Sequence, residues 1–268
     1  MIRETLEKKG IKPNKDLDQH FLLSEKILKR EVDEAEITSE DIVLEIGGGI
    51  GNLTEELSDR AKKVITVEKD HKLANFLRKK FVNYNVEVIE GDFIDKKEEL
   101  QEFTKCVSNP PYQISSEIVE FLGKKNVLSV LILQKEFVDK LVAGPGSGNY
   151  GFFTVLTNFY FIPVFLEKVP KINFFPNPEV DSAMVKFFPR KTRFGIDDDE
   201  SFLRTVRALF TTKRKKVRNS LVDSRHILKV SKEEIKNIRD EIPYSNKRVV
   251  NLSIKEIADI HIYLEKLL

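Results

Sequence analysis

The sequence predicts an α/β fold, a mostly parallel seven-stranded sheet covered by helices, followed by a smaller all-helical domain. Three observations carry this. Five short stretches rich in β-branched residues, Ile42–Ile46, Lys63–Glu68, Val86–Glu90, Lys105–Ser108 and Val127–Leu133, are separated by intervals long enough for a helix. Their apolar character is nearly continuous rather than alternating, the pattern of strands buried on both faces. Beyond Pro189 such stretches cease and helix signals take over.

The elements follow in order. Asn52–Asp59 reads as a helix after a run of glycines, and Lys69–Phe81 places Leu73, Phe76, Leu77 and Lys80 at helical spacing. Tyr160–Lys168 and Ser182–Phe188 are closing strands, an antiparallel pair at the sheet edge. Arg190–Asp199 is a polar link, so the predicted domains are 1–189 and 190–268. Asp198 and Asp199 can cap a helix running through Phe210. Ser231 with Glu234, and Ser253 with Glu256, have capping-box spacing. After the second box Ile254, Ile257, Ile260 or His261, Leu264 and Leu267 form an apolar stripe.

Composition narrows the functional classes. A chain of 268 residues has room for one large domain and one small one. The single cysteine, Cys106, excludes an intrachain disulfide and suits a reducing compartment. The longest apolar run, Phe159–Leu166, contains Pro163 and is far too short to span a membrane. The opening Met-Ile-Arg-Glu lacks the apolar core of a signal peptide, so a cytoplasmic protein is expected. A pairing heptad is not evident, and a monomer is expected. The net charge of +2 conceals an imbalance: residues 190–268 hold 19 Lys and Arg against 12 Asp and Glu, and the rest 26 against 31. A basic C-terminal quarter points to a polyanionic partner.

Four consecutive strand ends carry polar groups. Gly47-Gly48-Gly49-Ile50-Gly51 follows the first strand, where glycines let the turn close and a ligand approach the backbone. Asn52 spoils a G-x-G-x-x-G pyrophosphate fingerprint, and the absence of Gly-Lys-Ser/Thr excludes a triphosphate loop. Glu68 ends the second strand, followed by Lys69, and a carboxylate there can accept from both hydroxyls of a ribose. After the third strand, Asp92 can accept from an adenine amino group while Phe93 packs near the ring. The fourth strand runs into Ser108-Asn109-Pro110-Pro111-Tyr112. Asn109 offers a carbonyl oxygen, Pro110 a carbonyl of fixed direction and Tyr112 a flat face. Two acceptors and one aromatic face suit an exocyclic amino group on a planar base. The histidines and Cys106 have no metal-ligand spacing, and no metal is expected.

With these motifs the chain resembles the ribosomal RNA adenine N6,N6-dimethyltransferases of the kasugamycin-resistance type, along almost its whole length. Asp18-Gln19-His20-Phe21-Leu22 is similar to that family's N-terminal signature, which implies that His20 and Leu22 line the methionine end of S-adenosylmethionine, with Gln19 beside them among the cofactor-binding residues. The resemblance assigns Gly47, Gly49 and Gly51 to the cofactor turn, Glu68 to the ribose and Asp92 to the adenine, and their neighbours Lys69 and Phe93 are expected among the cofactor-binding residues. Asn109–Tyr112 would be the catalytic loop. Pro110 stands where bacterial relatives often carry Leu, and Asn-Pro-Pro also occurs in DNA amino-methylating enzymes. Phe174-Phe175-Pro176-Asn177-Pro178-Glu179-Val180-Asp181-Ser182 resembles F-x-P-x-P-x-V-D-S, implying that Phe174, with Phe175 beside it, stacks on the target base opposite Tyr112. The basic run Lys213, Arg214, Lys215, Lys216 and Arg218 would meet RNA phosphates, a salt-sensitive contact. The expected substrate is a pair of adjacent adenines near the 3′ end of small-subunit ribosomal RNA in a pre-30S particle. An adenine-N6 methyltransferase on other RNA or DNA, and an assembly factor with methylation secondary, are the alternatives.

Overall fold

The computed structural model describes residues 13, 14, 17 and 19–267; Asp18 and the opening Met-Ile-Arg-Glu lie outside the described residues. Contacts divide the chain into two compact units, 1–138 with 163–189, and 139–162 with 190–268. The sequence reading makes one cut, at 189, and so leaves 139–162 with the sheet. The segment groups instead with the C-terminal helices because its aromatic residues pack there: the rings of Phe159 and Phe202 lie 4.4 Å apart.

In chain order the strands and helices of the first part are β1 (Phe21–Leu22), α1 (Glu25–Glu34), β2 (Ile42–Ile46), α2 (Asn52–Ser58), β3 (Lys63–Glu68), α3 (His71–Lys80), β4 (Val86–Glu90), α4 (Phe93–Lys96), β5 (Lys105–Ser108), α5 (Ser115–Lys125) and β6 (Leu128–Gln134). They are followed by α6 (Lys135–Leu141), α7 (Phe152–Tyr160), β7 (Phe161–Val169), β8 (Phe174–Phe175) and β9 (Ser182–Pro189). The remaining helices are α8 (Asp199–Phe210), α9 (Val217–Asp223), α10 (Arg225–Leu228), α11 (Lys232–Ile238) and α12 (Ile254–Leu267).

The main sheet has seven strands in the order β4-β3-β2-β5-β6-β9-β7, a Rossmann-like arrangement. Its first five neighbours run parallel, and β9 runs antiparallel to β6. The parallel strands bury Val43, Leu44, Val64, Ile65, Cys106, Val107, Val130 and Leu131 almost completely. Each such side chain contributes about 1.5–3 kcal/mol. The chain winds to β3 on one side of β2 and to β5 on the other, so a crevice opens between the carboxyl ends of β2 and β5. Backbone pairing there is limited to Val43 with Lys105 and Leu44 with Cys106. Past it the Ser108 hydroxyl bridges the diverging strands, donating to the Ile46 carbonyl at 2.6 Å and accepting the Ile46 N–H at 3.1 Å.

Caps set the helix ends. The Asp70 carboxylate accepts the Lys72 and Leu73 N–H groups, so α3 begins at His71 rather than at Lys69. Asp198 caps α8, and both capping boxes form at Ser231 and Ser253. On α12 both Ile260 and His261 are buried with Ile257 and Leu264, whereas Leu267, in the last turn, is 50% exposed and leaves the stripe. One pairing was not visible in the sequence. β1 and β8 form a two-stranded antiparallel sheet, with Phe21 opposite Phe175 and Leu22 opposite Phe174.

Candidate active site

A cleft of about 970 Å³, open solvent at its mouth included, lies at the carboxyl ends of β2, β3, β4 and β5. The Gly turn forms its floor. Gly47 and Gly49 have φ of +86° and +55°, a region that side chains strain to enter. A Cβ on Gly47 would sit 3.3 Å from Pro111, and one on Gly49 would sit 3.1 Å from the Phe21 ring. The turn is therefore pressed between the Asn109–Tyr112 loop and β1.

Glu68 holds this turn in place. Its Oε2 accepts the Gly49 N–H and its Oε1 the Asp70 N–H, both at 2.8 Å. Burial pushes the carboxyl above its ordinary pKa, and the two backbone N–H groups oppose that shift. Asp92 is held from both sides as well: Lys69 Nζ lies 2.7 Å from Oδ2, and the Ile94 N–H donates to Oδ1 as the cap of α4. The Lys69 ammonium and that cap bond lower the Asp92 pKa. Each carboxylate retains lone pairs for a ligand. Phe93 lies beneath, edge-on to Phe121 at 5.2 Å.

At the mouth, Gln19 donates to Asp70 at 3.3 Å, and its own oxygen accepts the Asn14 N–H at 2.8 Å. His20 Nδ1 is 2.8 Å from the Pro176 carbonyl, which can only accept, so that nitrogen carries the proton. The His20 ring stacks near Tyr112, with centroids 6.3 Å apart. Tyr112 begins a short 3₁₀ turn and its hydroxyl is 2.6 Å from that of Ser182. Asn109 is partly buried, Pro110 is buried, and the Asn109 Oδ1 atom is buried with no hydrogen-bond partner among the described residues. Phe174 lines the cleft by an edge, being only 2% exposed in the core with Leu22 and Leu28.

Gln19, His20, Gly47, Gly49, Glu68, Lys69, Asp92, Phe93, Asn109, Pro110, Tyr112 and Phe174 all line this one cleft. Leu22 and Gly51 do not: Leu22 is core, and Gly51 is the left-handed cap of α2. Leu22 lines a smaller depression next to the Gly turn. Sequence reasoning missed Phe21, Ile46, Leu73, Gln113 and Ile114 as lining residues, because apolar and neutral side chains at element ends read as packing. It also missed Glu31, whose carboxyl accepts from Asn109 Nδ2.

The chain matches the family model described as ribosomal RNA adenine dimethylase over residues 10–266. It is 42% identical to the "Probable ribosomal RNA small subunit methyltransferase A" of Thermococcus onnurineus, over 97% of this chain and 95% of that one. Its identity to the protein of the same name from Methanosarcina acetivorans is 44%, over 97% and 96%. The chain belongs to the ribosomal RNA adenine dimethylase family. Among solved structures, the chain superposes on a dimethyladenosine transferase from Plasmodium falciparum with a TM-score of 0.81 and 29% identity, covering 92% of this chain and 98% of the other. The 23S rRNA methyltransferase ErmE gives 0.66 and 28%, covering 91% and 99%. As a member of that family the chain is an S-adenosylmethionine-dependent methyltransferase. The residues present fit that donor: a backbone cradle that a Cβ would fill, a buried strand-end carboxylate and an apolar floor.

The second unit holds the basic run. Lys213 Nζ donates to the Gly148 and Tyr150 carbonyls, both at 2.9 Å. Lys215 pairs with Asp223 at 2.7 Å, Arg218 with Asp240 at 3.0 Å, and Lys216 reaches Asn246 at 3.4 Å. Arg214, Lys215 and Lys216 line a shallow depression with Arg239 and Arg248. The glycine-rich stretch 143–151 is fastened at Gly146 to Val250 and at Tyr150 to Leu252.

Proposed function

We propose that this chain transfers methyl groups from S-adenosylmethionine to N6 of two adjacent adenines near the 3′ end of small-subunit, 16S-type ribosomal RNA, giving dimethyladenosines within a pre-30S particle. One observation carries the reading: a buried amide oxygen on Asn109, without a partner among the described residues, at the edge of the cleft. A buried acceptor left without a donor costs about 1–3 kcal/mol, and an incoming amine removes that cost.

When bound, S-adenosylmethionine supplies a methyl group made electrophilic by its sulfonium. Gly47 and Gly49 admit the donor to the backbone, Glu68 and Lys69 face its ribose, Asp92 and Phe93 its adenine, and Gln19 and His20 its amino-acid arm; Leu22 and Gly51 shape the cradle from behind. The target amine is a weak nucleophile because its lone pair is delocalised into the purine. Asn109 Oδ1 and the Pro110 carbonyl accept its two N–H bonds, which draws the nitrogen toward tetrahedral geometry and stabilises the charge that develops on it. Removing one preorganised group of this kind costs roughly 3–4 kcal/mol. The adenine must leave its stack to arrive there, and Tyr112 offers it a face, worth about 1–3 kcal/mol for the stacked base, with Phe174 beside it. Residues 1–189 hold the catalytic site, and Lys213, Arg214, Lys215, Lys216 and Arg218 in 190–268 serve RNA phosphates. The setting is cytoplasmic, with the chain acting as a monomer. Among the described residues no helix is long and apolar enough to cross a membrane.

The likeness to ErmE supports one other reading, methylation of large-subunit RNA. Incubating the protein and labelled donor with unmodified small subunits, large-subunit RNA and duplex DNA in parallel separates them. Mass-spectrometric mapping should find dimethyladenosine at two neighbouring positions of the small subunit. Label confined to either other substrate would overturn the assignment.

A further inference from the structure

Glu31 is a buried acid that the reaction as described does not use. It lies on α1, on the face that also buries Leu28, Val32 and Ala35, and is itself fully buried. A carboxyl at such a place is costly unless it is paired. Among the described residues its one hydrogen bond is the one that Asn109 Nδ2 donates to Oε2 at 3.1 Å; its Oε1 is buried without a partner. Packing alone would be served better by a leucine, so the role of Glu31 lies in what it does to Asn109.

We propose that Glu31 is a positioning residue for methyl transfer: by accepting the Asn109 side-chain N–H, it fixes the amide so that Oδ1 is the atom offered to the target amine. The inference rests on the reading of Asn109 given above. A primary amide is nearly symmetric in shape, and a half-turn about its last bond exchanges an acceptor for a donor. In that flipped state two N–H groups would confront each other at the reacting nitrogen. Glu31 prevents it in its ionised form, when the flip would set Asn109 Oδ1 against a carboxylate that can only accept; burial raises the carboxyl's pKa, and the bond from Asn109 opposes that shift. A hydroxyl or amine in its place could donate and would not discriminate.

Two variants and a cycle test this. Glu31→Gln keeps an accepting oxygen, whereas Glu31→Leu keeps the bulk and removes it. The Leu variant should lower the single-turnover methylation rate roughly 10–100-fold, the usual effect of losing an orienting partner. S-adenosylhomocysteine affinity, read by calorimetry, and the KM for small subunits should not change, and the Gln variant, whose amide can turn either its oxygen or its NH2 toward Asn109, should fall between the Leu variant and wild type. In an Asn109→Ala background, Glu31→Leu should cost nothing more. The proposal is overturned by a Leu variant as fast as wild type, by an equal slowing with and without Asn109, or by lost S-adenosylhomocysteine binding, which would make Glu31 a support of the cleft. An Asn109→Ala protein that keeps the wild-type rate would instead overturn the reading of Asn109 itself.

Discussion

At the scale of single residues, the cleft is built by buried acids whose neighbours decide their protonation. Glu45 ends its side chain beneath the Gly turn, where Thr54 donates to it at 2.7 Å. Burial raises its pKa to about 7 from 4.5. The folded state therefore holds this proton more tightly than the unfolded chain does. Its contribution to stability is fully present below the unfolded value and is lost as pH rises through about 7. A shift of this size corresponds to about 3 kcal/mol across the window. Glu45→Gln keeps an acceptor for Thr54 and removes the titration. Wild type should thus lose melting temperature relative to the variant between pH 5 and pH 8; parallel curves would contradict the assignment. Glu68 and Asp92 were legible as acids of the cleft from their strand-end positions, but their bonds to the Gly49 and Ile94 N–H groups were not. Those bonds join loops distant in sequence, and local spacing does not record them.

At the scale of elements, the parallel strands were the easiest to read, since Val, Ile and Leu in unbroken runs have few other uses. Helix α1 was not read, because Glu31 interrupts its buried face with a charge and breaks the apolar periodicity. Helix α7, Phe-Phe-Thr-Val-Leu-Thr-Asn-Phe-Tyr, carries aromatic and β-branched residues that favour strands; tertiary burial of Val155, Leu156 and Phe159 overrides that preference. The pairing of β1 with β8 joins the two aromatic motifs, and a two-residue register has no local signature. Caps, by contrast, are local chemistry and were legible. Asp198 accepts the Glu200 and Ser201 N–H groups, both at 3.0 Å. Asp198→Ala should destabilise the protein by about 1 kcal/mol, visible as a lower urea midpoint with an unchanged slope. An unchanged midpoint would mean that the cap contributes nothing.

At the scale of the whole molecule, the charge imbalance read from the sequence coincides with a basic depression in the second unit. Its lysines are engaged with carboxylates and amide oxygens, so a polyanion bound there would displace weak surface pairs rather than meet bare charge. Reversing both Lys215 and Lys216 to Glu should weaken RNA binding and lower the slope of log K against log salt by about 1 for each lysine. An unchanged slope would remove them from the interface. The central claim concerns one amide oxygen, and it is tested most directly by single-turnover methyl transfer to intact, unmodified small subunits with Asn109→Ala. The rate of dimethyladenosine formation should fall roughly 10²–10³-fold while S-adenosylhomocysteine binds with wild-type affinity. Transfer at the wild-type rate by that variant would contradict it.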